Sequence, residues 1–525
     1  MTFNRHPEPH GIGESRPEFS DLLSMFRHAC ATTPDTPALV HRDRTWTYAE
    51  EASAVWALAR RLHAASVHGR NVALMIGNSP EYHVAFWAIL AAGGIPCLFN
   101  VNYPAPALRP LFDDTDPRLA LVTAESMEVT KDVADTERCA IIDLSSPEST
   151  IDRLVSDSVD DDGYCPGESD RALIMFSGGT TGGSKSIPHT HRAMMDSVRR
   201  MEWGWPTPAR GDVWLPVAPF FHIYGFLHGV ANPVFGRASI VVPERFQPDH
   251  VVDLMGKHRV TVFGGGPPAI YNALLSAENF DSTDLSTLRS CPAGGAPFPV
   301  ELLRRWKERS GIDIFEGYGM TEIAPLTVNT ATFGAKAGTV GTAAPDVDVE
   351  ITEIGHRDRV LAPGQKGEIR VKGPHLFAAY LNRPDDTAAA FTDGYLYTGD
   401  VGHLDEDGFL TISDRLKDVI FVKGFNVFPR EVEEVLTNHP AVDAVGVVGI
   451  PHDRTDEQVI AFVTPGDAEP DVERLQQHCA EHLVAYKQPA HIHLVDRLPL
   501  TGARKLDRMA LRRSALDLHS ESASV

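Results

Sequence analysis

The sequence predicts an α/β fold: a large N-terminal domain of layered α/β subdomains that includes a β-rich subdomain, followed by a small α+β C-terminal domain. Three observations predict it. Short apolar strands alternate with helical patterns from Phe19 to Phe315, glycine-punctuated β segments occupy Gly338 to Ile412, and helices and strands mix again from Asp414 onward.

The totals agree with two or more domains. At 525 residues the chain exceeds what one hydrophobic core ordinarily serves. A hydrophobic content of 43% and a charged content of 23% are those of a soluble globular protein. No apolar run reaches membrane-spanning length, and residues 1–19 carry charges and prolines where a signal peptide would carry an apolar core, so the expected location is cytoplasmic. Six scattered cysteines without a CxxC pair fit a reducing compartment, and each reads as a small buried hydrophobe. The net charge of −23 speaks against nucleic acid and anionic membrane as partners, while leaving room for a local cationic pocket.

Taken in order, Phe19–His63 is helical in pattern, broken by a hairpin-like piece at Ala38–Thr47. Asn71–Ile76 reads as a strand, Asn78-Ser-Pro-Glu81 as a helix start, and an apolar helix runs on through Ala92. Ile95–Phe99 and Leu119–Val122 are further strands, and the acidic stretch Ser156–Asp162 reads as solvated surface. A helix is expected from about His189, where His189 and His191 have no third ligand nearby and read as structural. Val213–Val217, Ser239–Val242, Val260–Phe263 and Ile312–Phe315 are strands. Beyond the β-rich stretch, Pro429–Thr437 and Val472–Leu483 are helices, Val442–Ile450 and Val459–Val463 strands, and His519–Val525 a frayed tail.

The apolar run Ala172–Met175 empties into Phe176-Ser-Gly-Gly-Thr-Thr-Gly-Gly-Ser-Lys185. Such a loop suits a polyphosphate: Gly178, Gly179 and Gly182 let backbone N–H groups approach, Ser177, Thr180, Thr181 and Ser184 can donate hydrogen bonds, and Lys185 adds a compact positive charge. It is not a Walker A loop, because Gly-Ser-Lys stands where Gly-Lys-Ser/Thr is required. Composition alone equally permits a plain connector, and the position after a strand favours phosphate. Glycine turns also follow other strands, at Gly264-Gly-Gly-Pro-Pro268 and Gly294-Gly295-Ala296-Pro297. His222, in Pro219-Phe-Phe-His-Ile-Tyr-Gly225, is either a core residue or a pocket wall at a strand's carboxyl end, where ligands of α/β folds collect.

Tyr318-Gly-Met-Thr-Glu322, Tyr397-Thr-Gly-Asp400 and Asp414-Arg-Leu-Lys-Asp-Val-Ile420, standing in this order after the glycine loop, give a chain that resembles the acyl-adenylate-forming superfamily. That group includes acyl- and aryl-CoA synthetases, stand-alone aryl-acid ligases, peptide-synthetase adenylation domains and firefly luciferase. The resemblance extends from Thr45-Trp-Thr-Tyr48 and Asn78-Ser-Pro-Glu81 to Tyr486-Lys-Gln-Pro489 and Lys505. It implies a reaction joining a carboxylate to the α-phosphate of ATP, with release of pyrophosphate, and transfer of the acyl group to the thiol of CoA or of a carrier protein's phosphopantetheine.

The roles it implies are carried onto matching positions. Ser177–Lys185 would hold the β- and γ-phosphates, Thr321 the α-phosphate, and Glu322 a Mg²⁺ ion. Tyr318 would cover one face of adenine with Gly294, Gly295 and Ala296 along the other, and Asp400, supported by Arg415, would accept the ribose hydroxyls. Residues 1–413 form the adenylation domain, 414–418 the hinge with Lys417 as pivot, and 419–525 a mobile domain that presents Lys505 for adenylation and Lys423, Gly424 and Phe425 for thiol transfer. The acyl pocket is placed at Phe221, His222, Phe226, Gly264, Gly295, Gly319 and Met320, with His222 also counted among the catalytic groups.

The departures bear on the acid. Doubled glycine and Ser184-Lys185 resemble ligases for salicylate or 2,3-dihydroxybenzoate, yet Ile223 stands where those enzymes carry an Asn that reads the ortho hydroxyl. Pro219 stands where an Asp would bind an α-amino group, which speaks against amino acids. An aryl or medium aliphatic acid with CoA as acceptor is therefore expected, with a carrier protein as the alternative acceptor. Arg504, where relatives have Gly before the lysine, has no assigned effect, and monomer and homodimer both stay open.

Overall fold

The computed structural model of the protein describes residues 18–157, 159–177, 184–207, 211–331, 334–423, 425–452, 455–466, 471–500 and 506–522. The chain divides into two compact units, Met1–Val349 with Val371–Leu396 and Gly408–Leu410, and Glu350–Arg370 with Tyr397–Asp407 and Thr411–Val525.

The first unit is built on two largely parallel sheets. In one, the strands lie in the order Ala140–Asp143, Leu119–Val122, Asn71–Met75, Ile95–Leu98, Arg171–Phe176 and Ser186–Thr190, parallel except for the last. In the other the order is Val262–Gly264, Val213–Pro216, Ser239–Val241, Pro37–His41 and Arg44–Thr47, again with only the last antiparallel. Helix Pro80–Ala91, with Ser79 at its N-cap and Pro80 opening it, is buried at every position except Glu81. A helix apolar all round has no solvent face to present, and here Trp87 stacks on Phe26 at 4.7 Å within the main core. Helix Tyr48–Ala64 starts on a reciprocal capping box between Thr47 and Glu50.

Parallel bridges from Val262 to Ser290 and from Gly266 to Ala293 carry the second sheet over to strand Cys291–Gly294. That strand pairs in parallel with Ile314–Met320, which pairs antiparallel with Ile323–Val328. Val213–Pro216, Val262–Gly264 and Cys291–Gly294 run parallel, so the turns after all three leave at one carboxyl edge, where a ligand site belongs in such a sheet.

Several expectations need correction. The helix expected from His189 begins at His191, because Ser186–Thr190 is an antiparallel strand returning along Arg171–Phe176. The strand placed at Val260–Phe263 is Val262–Gly264, and Ile312–Phe315 is the long strand Ile314–Met320. A short helix, Pro384–Ala390, interrupts the β-rich stretch, and the tail to Ser522 belongs to helix Arg508–Ser522. The acidic stretch is more than solvated surface: Asp161 takes a two-pronged ion pair from Arg27, and Asp157 pairs with Arg61 at 2.9 Å. Cys97, Cys139, Cys291 and Cys479 are buried, whereas Cys165 is exposed.

In the second unit, a sheet ordered Phe425–Val427, Ile420–Val422, Asp456–Pro465 and Val442–His452, with His491–Leu494 also paired to Asp456–Pro465, carries helices Pro429–Thr437, Val472–His482 and Arg508–Ser522. Val432, Leu436, Leu475 and Cys479 close one core with the sheet, and Leu511 and Ala515 another. No helix among the described residues is long and apolar enough to cross a membrane.

Candidate active site

Strand Arg171–Phe176 and its partner Ser186–Thr190 bracket the glycine loop. Its neck is closed reciprocally: Ser177 N–H donates to the Lys185 carbonyl at 2.9 Å, and Lys185 N–H donates to Ser177 Oγ at 2.9 Å. Gly178, Gly179, Thr180, Thr181 and Gly182 lie outside the described residues. Lys185 Nζ reaches Asp386 Oδ1 at 3.1 Å and lies 4.4 Å from the centre of the Tyr380 ring. The Tyr380 hydroxyl donates to Glu322 Oε1 at 2.8 Å. Burial, and then the Glu322 carboxylate, push the phenol well above its ordinary range, so Tyr380 is a permanent donor.

The strand leaving the loop also holds the Thr-Glu motif. His189 is buried, which lowers its pKa to about 4, and the neutral ring donates from Nε2 to the Thr321 carbonyl at 2.8 Å. Leu381 N–H donates to the Ser186 carbonyl at 2.9 Å, and Phe377 N–H to the Glu322 carbonyl at 3.0 Å. Glu322 is only 6% exposed. Residues far apart in sequence thereby bring one lysine over the ring of Tyr380 and one carboxylate to its hydroxyl. His191 serves packing instead, its Nδ1 accepting from Leu22 N–H at 3.3 Å.

At the carboxyl edge of the second sheet the three turns are tied to one another. The Tyr224 hydroxyl donates to the Pro292 carbonyl at 2.8 Å and accepts from Gly266 N–H at 3.2 Å. Asn78 clasps the turn before His222, its amide donating to the Ala218 carbonyl at 2.8 Å and accepting from Phe220 N–H at 2.7 Å. His222 is exposed and caps the following helical turn by accepting from Tyr224 N–H at 3.3 Å. Gly294 and Gly295 are glycines for different reasons. A Cβ on Gly294 would lie 2.7 Å from the Gly317 carbonyl oxygen, whereas Gly295 has φ +82° and nothing within 4 Å, leaving an open face above it.

Ala296, Phe221, Tyr318 and Met320 are half-buried, and Gly319 is exposed. Gly264 is buried against His228. Phe226 is fully buried, edge-on to Phe86 at 5.0 Å, so it stands in the hydrophobic core.

In the second unit Asp400 is 4% exposed, and Arg415 Nε meets its Oδ1 at 2.8 Å. Its backbone N–H donates to Thr398 Oγ1 at 3.0 Å, which fixes the turn. Asp414 is buried, which raises its pKa to about 6, and it accepts from Arg430 N–H at 2.9 Å and Arg415 N–H at 3.0 Å. Lys417 and Lys423 are exposed, and Phe425 stacks on Tyr486 at 4.7 Å. Gly424, Arg504 and Lys505 lie outside the described residues.

Sequence reasoning missed Tyr380, Asp386, Tyr224 and the clasp made by Asn78. A tyrosine before Leu-Asn-Arg-Pro and an aspartate in Asp-Asp carry no local mark of a site.

The chain matches the sequence model of the AMP-binding enzymes over residues 26–381 and that of the AMP-binding enzyme C-terminal domain over residues 431–505. It is 31% identical to a long-chain-fatty-acid–CoA ligase of Bacillus subtilis, covering 95% of each chain, and 32% identical to a feruloyl-CoA synthase of Amycolatopsis, covering 92% of this chain and 96% of the relative. Among solved structures it superposes on ATP-bound MatB from Rhodopseudomonas palustris with a TM-score of 0.87 and 28% identity, covering 94% of this chain and 99% of that one. With the family model spanning more than half of its length, the chain belongs to the AMP-binding enzymes, the acyl-adenylate-forming group, and is an AMP-forming acid–thiol ligase.

Proposed function

We propose that the protein condenses a carboxylic acid with ATP to an acyl-adenylate, releasing pyrophosphate, and then passes the acyl group to the thiol of CoA. The observation that carries this reading is the junction at Tyr380, where Lys185 lies over the ring and Glu322 takes the hydroxyl hydrogen bond of one side chain. Two anions must be joined, so the site needs positive charge beside a place for a metal. Lys185 supplies the first, and the loop amides would hold the β- and γ-phosphates. Thr321, fixed through its carbonyl by His189, would donate to the α-phosphate. Tyr318 and the open face over Gly295 suit a flat base, and Asp400 offers carboxylate oxygens to the ribose hydroxyls.

Glu322 fits a Mg²⁺ ion. A single carboxylate completed by phosphate oxygens and water is the ordinary ligand set for this cation, and no group of three or more potential ligands occurs among the described residues. When bound, the ion would neutralise phosphate charge. Lys505 is assigned by resemblance to the carboxylate and phosphate oxygens during adenylation, and Lys423, Gly424 and Phe425 to the thiol-transfer face, with rotation about 414–418 between the two steps.

For the acid, an aryl or medium aliphatic carboxylate is our reading. Ile223 offers nothing to an ortho hydroxyl, and the relatives above are named for a long-chain fatty acid in one case and for ferulate in the other. The loop variant with Gly178 and Ser184 favours a second acceptor, a carrier protein. Pyrophosphate release across a panel of acids identifies the substrate, and CoA offered beside a holo carrier protein identifies the acceptor. Thioester on CoA is the expected product; thioester only on the carrier overturns the acceptor, and absence of acid-dependent pyrophosphate release overturns the reaction.

A further inference from the structure

Lys185 is already engaged by a carboxylate. Its ammonium lies 3.1 Å from Asp386 Oδ1, above the Tyr380 ring at 4.4 Å, and the Tyr380 hydroxyl is held by its hydrogen bond to Glu322. A polyphosphate that uses Lys185 therefore meets a resident anion that competes with it for the ammonium. We propose that Asp386 is a built-in competitor at the phosphate site, holding Lys185 in the nucleotide-free enzyme and releasing it to ATP or pyrophosphate. The proposal rests on the reading of Lys185 as a phosphate ligand and assigns Asp386 as a positioning residue that acts through it.

Three features make the exchange workable. The side chains of Lys185 and Asp386 are 28% and 40% exposed, so the pair is solvent-screened and cheap to break. Asp386 keeps a cationic partner when the lysine leaves, because Arg383 Nη1 stands 3.4 Å from its other oxygen. The lysine also retains the Tyr380 ring face as a surface over which to swing. A triphosphate or pyrophosphate brings several charges against one carboxylate and wins the lysine, whereas a monophosphate competes at a disadvantage. Asp386 thus weakens retention of released pyrophosphate and widens the distinction between ATP and AMP.

The test is a double-mutant cycle on the full-length protein with inorganic pyrophosphate and ATP as probes, read by calorimetry and by steady-state kinetics. Asp386→Asn is expected to tighten pyrophosphate binding by about two- to fivefold, the range of an exposed ion pair, and to lower KM for ATP by a similar factor. Lys185→Ala is expected to weaken both ligands, and Asp386→Asn added to it to change nothing further. Looser or unchanged binding in Asp386→Asn, while Lys185→Ala is impaired, overturns the competitor role alone. Unchanged binding in Lys185→Ala overturns the phosphate reading and the proposal with it. Tightening by Asp386→Asn that persists without Lys185 also overturns the proposal, since the effect would then not pass through the lysine. Asp386→Ala with an unaltered melting temperature guards against a folding artefact.

Discussion

Two buried carboxylates, one in each unit, are satisfied in opposite ways. Glu322 faces a neutral donor, the Tyr380 hydroxyl at 2.8 Å, while Asp400 faces a guanidinium, Arg415 at 2.8 Å, whose side chain is 59% exposed. A phenol orients a carboxylate without cancelling its charge, and this suits an oxygen that is to bind a cation. A guanidinium cancels the charge and leaves acceptor lone pairs, which suits oxygens that are to receive hydroxyls. The difference is the one expected if, as proposed, Glu322 serves a metal ion and Asp400 a sugar.

Breaking each carboxylate tests that contrast. Glu322→Gln keeps shape and removes charge, and should lower acid-dependent pyrophosphate exchange by about a hundred- to thousandfold, as loss of a preorganised electrostatic group does; a near-normal rate with an unchanged Mg²⁺ requirement would sink the metal assignment. Asp400→Asn should raise KM for ATP roughly ten- to hundredfold, the size of lost charge-assisted hydrogen bonds. Unaltered ATP saturation would remove Asp400 from the ribose. Tyr380→Phe leaves a buried carboxylate oxygen without its donor, at a cost of about 1–3 kcal/mol. A fall in melting temperature that added Mg·ATP repairs more fully than in wild type is the expected signature, measured by calorimetry.

A third carboxylate sharpens the comparison because its neighbour is neither phenol nor cation. Glu51 is 1% exposed, with His83 Nδ1 3.7 Å away, and burial raises its pKa to about 8 while lowering that of His83 to about 3. The pair is neutral at pH 7. Since the folded pKa lies above the unfolded 4.5, the contribution of Glu51 to stability is complete below about 4.5 and is lost as pH rises towards 8, at a slope of about 1.4 kcal/mol per pH unit. Near neutrality this is the smallest effect: wild-type melting temperature should slip by a few degrees between pH 7 and 8, and Glu51→Gln should flatten that slope.

Much of the scaffold was legible because its signals are local. Asn78-Ser-Pro-Glu81 and the run Pro429–Thr437 announce helices through a start signal and apolar spacing. Helix Pro384–Ala390 escaped because it is short, has no buried residue and sits among β segments. Helix Arg508–Ser522 escaped because Leu511 and Ala515 give it little apolar periodicity, while Arg508 ties it to Glu433 and to the Val447 carbonyl across a long stretch of sequence. Motif residues such as Glu322 and Asp400 were found by resemblance, but their partners were not. Tyr380 meets Glu322 across 58 positions and His189 meets Thr321 across 132, and no periodicity in a sequence encodes such pairings.

The clasp made by Asn78 has a consequence for the ageing of the enzyme. One arm of its amide donates and the other accepts, and the following residue is the small Ser79. Deamidation would replace the donating nitrogen with a carboxylate oxygen pointed at the Ala218 carbonyl, so one hydrolysed bond would turn an attachment into a repulsion at the turn that carries His222. Shelf life, rather than catalysis, is where this residue is expected to announce itself, as loss of activity tracking a mass gain at position 78 during storage at alkaline pH.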